Sequence, residues 1–186
     1  KISRKKRTKE KEDNGKSNLF VAKLNKEIST KNKIINMIDY GCGKGFFYKN
    51  PSNQYGRKIK SLRNYWNIDI DLYDPGFEEN SNLNENKSYD LVICIDVLEH
   101  IPSDDIDWVL GKLLNNAKKY LFINVACYPA IALLPNGKNA HINIKPPEWW
   151  HEKFLHCQDK LTNIKVICIC TIVENRKFQY FPLQYN

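Results

Sequence analysis

Apolar residues fall along this chain in two rhythms. Nearly continuous runs, as a strand buried on both faces requires, occur at Ile34–Ile38 and Tyr120–Cys127, each with one Asn inside, and without a break at Leu91–Ile95. The stretch Asn67–Tyr73 alternates instead, with Ile68, Ile70 and Leu72 on one face. Helical spacing appears in Ile106, Val109, Leu110, Leu113 and Leu114, which predicts a helix over Ser103–Lys119. Its start carries Asp104, Asp105 and Asp107 and its end Lys118 and Lys119, charges that suit the two ends of a helix dipole. Phe20, Val21, Leu24 and Ile28 predict a shorter helix opened by Ser17. Further helices are expected over Tyr55–Tyr65, with Ile59 and Leu62 inward, and from Pro147 to about Cys157. The last runs, Ile164–Val173 and Phe178–Leu183, are close enough for an antiparallel hairpin turning at 174–177. This order predicts an α/β fold: a mostly parallel sheet, helices on both faces and a C-terminal hairpin.

Three segments break the rhythm. Residues 1–16, KISRKKRTKEKEDNGK, have no apolar period and read as a basic flexible arm ahead of one domain over 17–186. Residues 76–88 are polar and too few for a full strand–helix unit, so the third strand region is shortened or missing. Residues 128–147, rich in Pro, Asn and Gly, form a long connection of the kind that carries function at a sheet edge.

At 186 residues the chain can bury a real core. The formal net charge of +8 is uneven: residues 1–60 hold 17 Lys/Arg against 5 Asp/Glu, and residues 61–186 hold 12 against 16. The basic end could meet phosphate-rich partners or be a solvated tail. No apolar run is long enough to span a membrane, and no signal peptide is visible. The six cysteines are scattered without a C-x-x-C pair, as reduced thiols of a cytoplasmic protein would be.

The chemistry gathers at strand ends. The first run closes on Asp39 and Tyr40 and enters Gly41-Cys42-Gly43-Lys44-Gly45. A strand, a tight glycine turn and a helix make the usual seat for a nucleotide-like ligand. The spacing is G-x-G-x-G, with Phe46 where a dinucleotide loop needs its third glycine. The acid before the loop suits a ligand with a cationic amino-acid end. The second strand ends at Asp74, before Pro75-Gly76, where a carboxylate can accept hydrogen bonds from a ribose diol or simply form a turn. The third apolar run ends in Asp96-Val97-Leu98-Glu99-His100.

The glycine loop and the D-x-L-E-H ending, in that order, resemble motifs I and IV of the class I S-adenosylmethionine-dependent methyltransferases. The resemblance covers roughly residues 34–183. The segment NGKNAHINIKPPEWW is similar to a block that recurs in small bacterial and phage methyltransferases. The resemblance implies a seven-stranded Rossmann-like sheet and S-adenosyl-L-methionine as cofactor, with S-adenosyl-L-homocysteine as product. It implies that Asp39, Tyr40, Gly41, Cys42, Gly43 and Gly45 hold the methionine end, that Asp74 binds the ribose, and that Asp96 and Val97 line the pocket. The residue contacting adenine, which would follow the third strand, has no counterpart.

Methyl transfer from a sulfonium is an in-line displacement by an already activated donor, so the protein chiefly aligns the partners and excludes water. A base is needed only for a protonated acceptor. His141, between Asn139 and Asn143, and His100 are the candidates for base or substrate ligand; either could instead be structural. His151 and His156 are poorly spaced for a metal, and with no H-E-x-x-H or Cys/His cluster no metal is expected. Trp149 and Trp150 could stack on a flat acceptor, although one of a tandem pair usually enters the core; Tyr40 and Tyr128 are weaker aromatic candidates.

The leading expectation is methyl transfer to a small molecule. A nucleic-acid acceptor approached through residues 1–16 is the rival, and the lack of an N/D-P-P-Y/F motif at Asp96 counts against base amino groups. A binding protein that kept the cofactor but lost turnover is the third reading, and a nicotinamide-dependent oxidoreductase the poorest.

Overall fold

The computed structural model describes residues 34–54, 57–157, 163–174 and 177–185. The expected arm over 1–16, the expected helix after Ser17 and the middle of the last turn lie outside the described residues.

Eight strands and four α-helices are seen among the described residues. In chain order they are β1 (Asn36–Tyr40), α1 (Phe46–Lys49), β2 (Ser52–Gln54), β3 (Arg57–Ile59), α2 (Leu62–Trp66), β4 (Asp69–Tyr73), β5 (Tyr89–Ile95), α3 (Ile106–Asn116), β6 (Ala117–Ala126), α4 (Pro147–His156), β7 (Lys165–Glu174) and β8 (Lys177–Tyr185). The chain divides into two compact units: residues 1–35 with 45–69, and residues 36–44 with 70–186.

The larger unit is built on a sheet of order β4-β1-β5-β6-β7-β8. β1, β5, β6 and β7 pair in parallel, and β7 with β8 antiparallel. This is the expected α/β architecture, terminal hairpin included. The resemblance called for seven strands; among the described residues the sheet has six. Between β4 and β5 the chain makes only a 3-10 turn at Glu78–Asn80, because GFEENSNLNENKS holds just two large apolar residues, Phe77 and Leu83, too few to bury a further strand.

β5 is buried along nearly its whole length, as its unbroken apolar run requires. The five stripe residues of α3 are all buried against the sheet. The helix is shorter than its pattern suggested: a 3-10 turn at Ser103–Asp105 precedes it and β6 begins at Ala117. Lys118 and Lys119 therefore stand in a strand, not at a helix end. On α4, Trp150 is fully buried and Trp149 half-buried, with the Lys145 and Lys153 ammonium groups over the outer ring at 5.5 and 5.2 Å.

In the smaller unit the helix expected over Tyr55–Tyr65 forms only at its end, from Leu62; Ser52–Gln54 and Arg57–Ile59 pair as the antiparallel ribbon β2–β3 instead. The short α2 follows, with the Ser61 hydroxyl accepting a hydrogen bond from the Asn64 N–H at 3.2 Å. Its buried Trp66 packs on Tyr48, ring centroids 5.7 Å apart. No helix among the described residues is long and apolar enough to cross a membrane.

Candidate active site

β1 lies between β4 and β5, so the strand order reverses beside it, the point at which open α/β sheets seat a ligand beyond the C-terminal ends of their strands. The Gly41–Gly43 loop, Asp74 and the Asp96–His100 segment follow the C-terminal ends of β1, β4 and β5.

The glycine loop is tied down from within. The Gly41 and Cys42 N–H groups donate to the Tyr73 carbonyl at 2.7 and 3.1 Å, and the Gly43 N–H donates to Asp74 Oδ2 at 2.8 Å. The Asn80 side chain donates to the Gly43 carbonyl at 2.8 Å, and its own carbonyl accepts from the Asp74 N–H at 2.9 Å. Tyr40 lies against Tyr73, centroids 4.7 Å apart, and burial together with Tyr73 pushes its phenol pKa up. The first three loop amides are thus spent inside the protein and are not arrayed as an anion cradle. The other oxygen of Asp74 accepts the Gly76 N–H at 2.8 Å, closing the turn after β4. Asp74 thus forms a turn, and each carboxylate oxygen keeps a second lone pair for a ligand. Gly45 caps α1 with φ 60°.

The D-x-L-E-H segment turns sharply off β5. Asp96 has φ 54°, in the left-handed region that aspartate tolerates better than most residues. The turn is held by the Asp96 N–H donating to the Asn124 carbonyl at 3.0 Å and by Asn124 Nδ2 donating to Asp96 Oδ1 at 2.5 Å. Thr171 Oγ1 in turn donates to Asn124 Oδ1 at 3.2 Å. Val97 is carried against Gly41, linking the two motifs. Burial raises the Asp96 pKa, against its bond from Asn124 and the nearby His141 and His100.

Glu99 was not singled out from sequence as a site residue, yet it is wholly buried. Its Oε1 accepts the Ala126 N–H at 3.3 Å, whereas Oε2 has no hydrogen-bond partner. Burial, with Asp96 beside it, pushes its pKa up to about 8. The only sequence signal was a charged residue inside an otherwise apolar strand-end turn.

His100 and His141 meet edge to face, centroids 5.0 Å apart. His100 Nδ1 is 2.8 Å from the Ala140 carbonyl and His141 Nδ1 is 2.6 Å from the Tyr128 carbonyl. A carbonyl only accepts, so both Nδ1 atoms carry a proton, and in this tautomer of the neutral ring the lone pair lies on Nε2. Asn139 sets His141: its Oδ1 accepts the N–H groups of His141 and Ala130, both at 2.9 Å, and its Nδ2 donates to the Ala130 carbonyl at 2.8 Å. Tyr128 also packs on the His141 ring, at 5.7 Å. By contrast His151 lies at Tyr185, its Nδ1 2.6 Å from the hydroxyl. One ligand atom each from Glu99, His100 and His141 lie within 4.8 Å of one another. Sequence spacing could not show this group, because His100 and His141 stand 41 positions apart.

A parallel sheet with a glycine turn after β1 and acids at the ends of β1, β4 and β5 defines a nucleoside-cofactor enzyme of the Rossmann-like class. The chain matches the family described as Methyltransferase domain over residues 10–168, and it belongs to that family. It is a class I S-adenosylmethionine-dependent methyltransferase, an enzyme. Neither the curated proteins nor the solved structures contain a match to the chain.

Proposed function

We propose that this methyltransferase acts on a small molecule through an oxygen or nitrogen nucleophile, at the crevice beyond β1, β4 and β5. The single observation carrying this reading is the linkage of all three strand ends: Gly43 to Asp74, and Gly41 to Val97. The residues there fit S-adenosylmethionine. Asp39, almost buried at the end of β1, offers a carboxylate for the amino-acid end, and Asp74 offers one for the ribose. The amides of residues 41–43 are spent internally, which disfavours a pyrophosphate ligand such as a nicotinamide dinucleotide.

When bound, the cofactor supplies an activated methyl group on a sulfonium. Asp39, Tyr40 and the Gly41–Gly43 backbone would position its methionine end, and Asp96 and Val97 would wall the space toward the acceptor. His141 and His100 present bare Nε2 atoms, as proton acceptors or as ligands for the acceptor. The small-molecule reading is favoured by the carboxylates Asp39 and Asp74 beside the glycine loop, which repel a polyphosphate chain. Delivery of nucleic acid by residues 1–16 would show as salt-dependent DNA or RNA binding lost on removing those residues.

Calorimetric titration with S-adenosylmethionine, S-adenosylhomocysteine and NAD, in wild type and Asp74→Ala, tests the site. Binding of the sulfur ligands alone, weakened by the substitution, is expected. Binding of NAD, or sulfur ligands indifferent to Asp74, would overturn the assignment.

A further inference from the structure

The geometry points to a divalent-cation site formed by Glu99, His100 and His141, at the acceptor side of the proposed methyl-transfer crevice. This runs against the sequence expectation of no metal, which rested on local spacing alone. Three observations carry it. First, one ligand atom from each residue lies within 4.8 Å of the others, so a small inward movement brings all three to a single ion. Second, both imidazoles are fixed in the tautomer a metal needs. Each donates Nδ1–H to a backbone carbonyl, Ala140 for His100 and Tyr128 for His141, which orients the ring and leaves Nε2 bare. Ligating histidines are held in this way by their outer partners. Third, Glu99 is wholly buried with one oxygen, Oε2, unpartnered. A buried carboxylate oxygen without a donor is costly, and a cation satisfies it.

Two imidazole nitrogens and one carboxylate oxygen select a borderline first-row ion such as Zn²⁺ or Mn²⁺ over Mg²⁺ or Ca²⁺, which prefer all-oxygen shells. Three protein ligands leave further coordination positions open, the pattern of sites that take a substrate atom. The proposal rests on the methyltransferase reading only for its role: the open positions would take an acceptor oxygen, and Lewis-acid polarisation would make its proton easier to lose. In that arrangement the histidines hold the ion and do not themselves take the proton.

The test is calorimetry on the full chain after dialysis against a chelator, titrating Zn²⁺, Mn²⁺ and Mg²⁺ separately, with Co²⁺ absorption as a spectroscopic readout. Expected are one Zn²⁺ per chain, weaker Mn²⁺, little Mg²⁺, and visible ligand-field bands from bound Co²⁺. Glu99→Gln and His141→Ala should each weaken Zn²⁺ at least ~10-fold and remove the bands. His151→Ala, outside the cluster, should match wild type. His100→Ala alters an exposed ring and serves as a second ligand variant should Glu99→Gln fail to fold by circular dichroism. Wild type that binds no Zn²⁺, or Zn²⁺ affinity untouched by the folded ligand variants, overturns the site. S-adenosylhomocysteine titrated in parallel separates the two readings. Its binding without metal binding removes the cation site alone; metal binding without it leaves the site standing and removes the role given to it.

Discussion

Val97 closes directly over Gly41: a Cβ on residue 41 would stand 3.0 Å from Val97 Cγ1 and closer still to Cγ2. The strand-end turn after β5 and the glycine loop after β1 are therefore one packed unit.

Gly41→Ala should be severely damaging, because the new methyl meets Val97 while the backbone sits at φ 91°. The strain alone is worth roughly 1–2 kcal/mol and the overlap adds to it. A thermal melt should show the loss. Gly41→Ala with Val97→Ala should recover part of it by removing the clash and leaving the strain; no recovery in the double variant would mean the contact is not what constrains residue 41.

The tandem tryptophans should behave unequally. Trp150→Ala empties a fully buried site against the sheet and should cost about 3–5 kcal/mol in denaturant unfolding. Trp149→Ala removes a half-exposed ring with two lysine ammonium groups over it and should cost about 1–2 kcal/mol. Equal losses would contradict the burial pattern.

Cys94 should resist alkylation in the folded protein. Burial pushes its thiol up, and the Asp39, Glu99 and Asp96 carboxylates add to the effect. Above an ordinary thiol pKa of about 8.5 the unfolded chain releases this proton and the folded chain keeps it, so native stability falls as pH rises through that value. Mass mapping after iodoacetamide treatment at pH 8 should find Cys94 labelled only when denaturant is present. Rapid labelling without denaturant would refute the assignment.

Asn139→Ala should release the segment that sets His141, since one amide makes three hydrogen bonds there. A loss of about 1–3 kcal/mol is expected. Hydrogen exchange should rise at the Ala130 and His141 amides while β5 and β6 stay protected. Unchanged protection would show that the Leu133–Asn139 bridge suffices.

The strands and α3 were legible because their apolar periods are long and the burial they predict is continuous. β1, β5 and the five-residue stripe of α3 carry that signal. The ribbon β2–β3 was not legible: three-residue strands have no period to read, and a Pro–Asn–Gly interruption is equally consistent with a broken helix. The strand ends that carry Asp39, Asp74 and Asp96 were legible for the same reason as the strands. Glu99 was hidden because its significance lies in burial and an unpartnered oxygen. The meeting of His100 and His141 was hidden because only the fold closes the chain between them.

The missing third strand unit leaves a five-residue strand, β4, outermost on one side of the described sheet. The opposite outer strand, β8, contains Pro182, which has no N–H to offer a further strand. β4 is short and carries Asp69 and Asp71, and the carboxylate of Asp71 binds Lys87 and Tyr89. Both borders of the sheet, as formed by the described residues, are thus poor templates for another chain, a built-in resistance to edge-to-edge association. The shortening that removes a wall of the fold on one side leaves behind an edge too brief and too charged to recruit a neighbour.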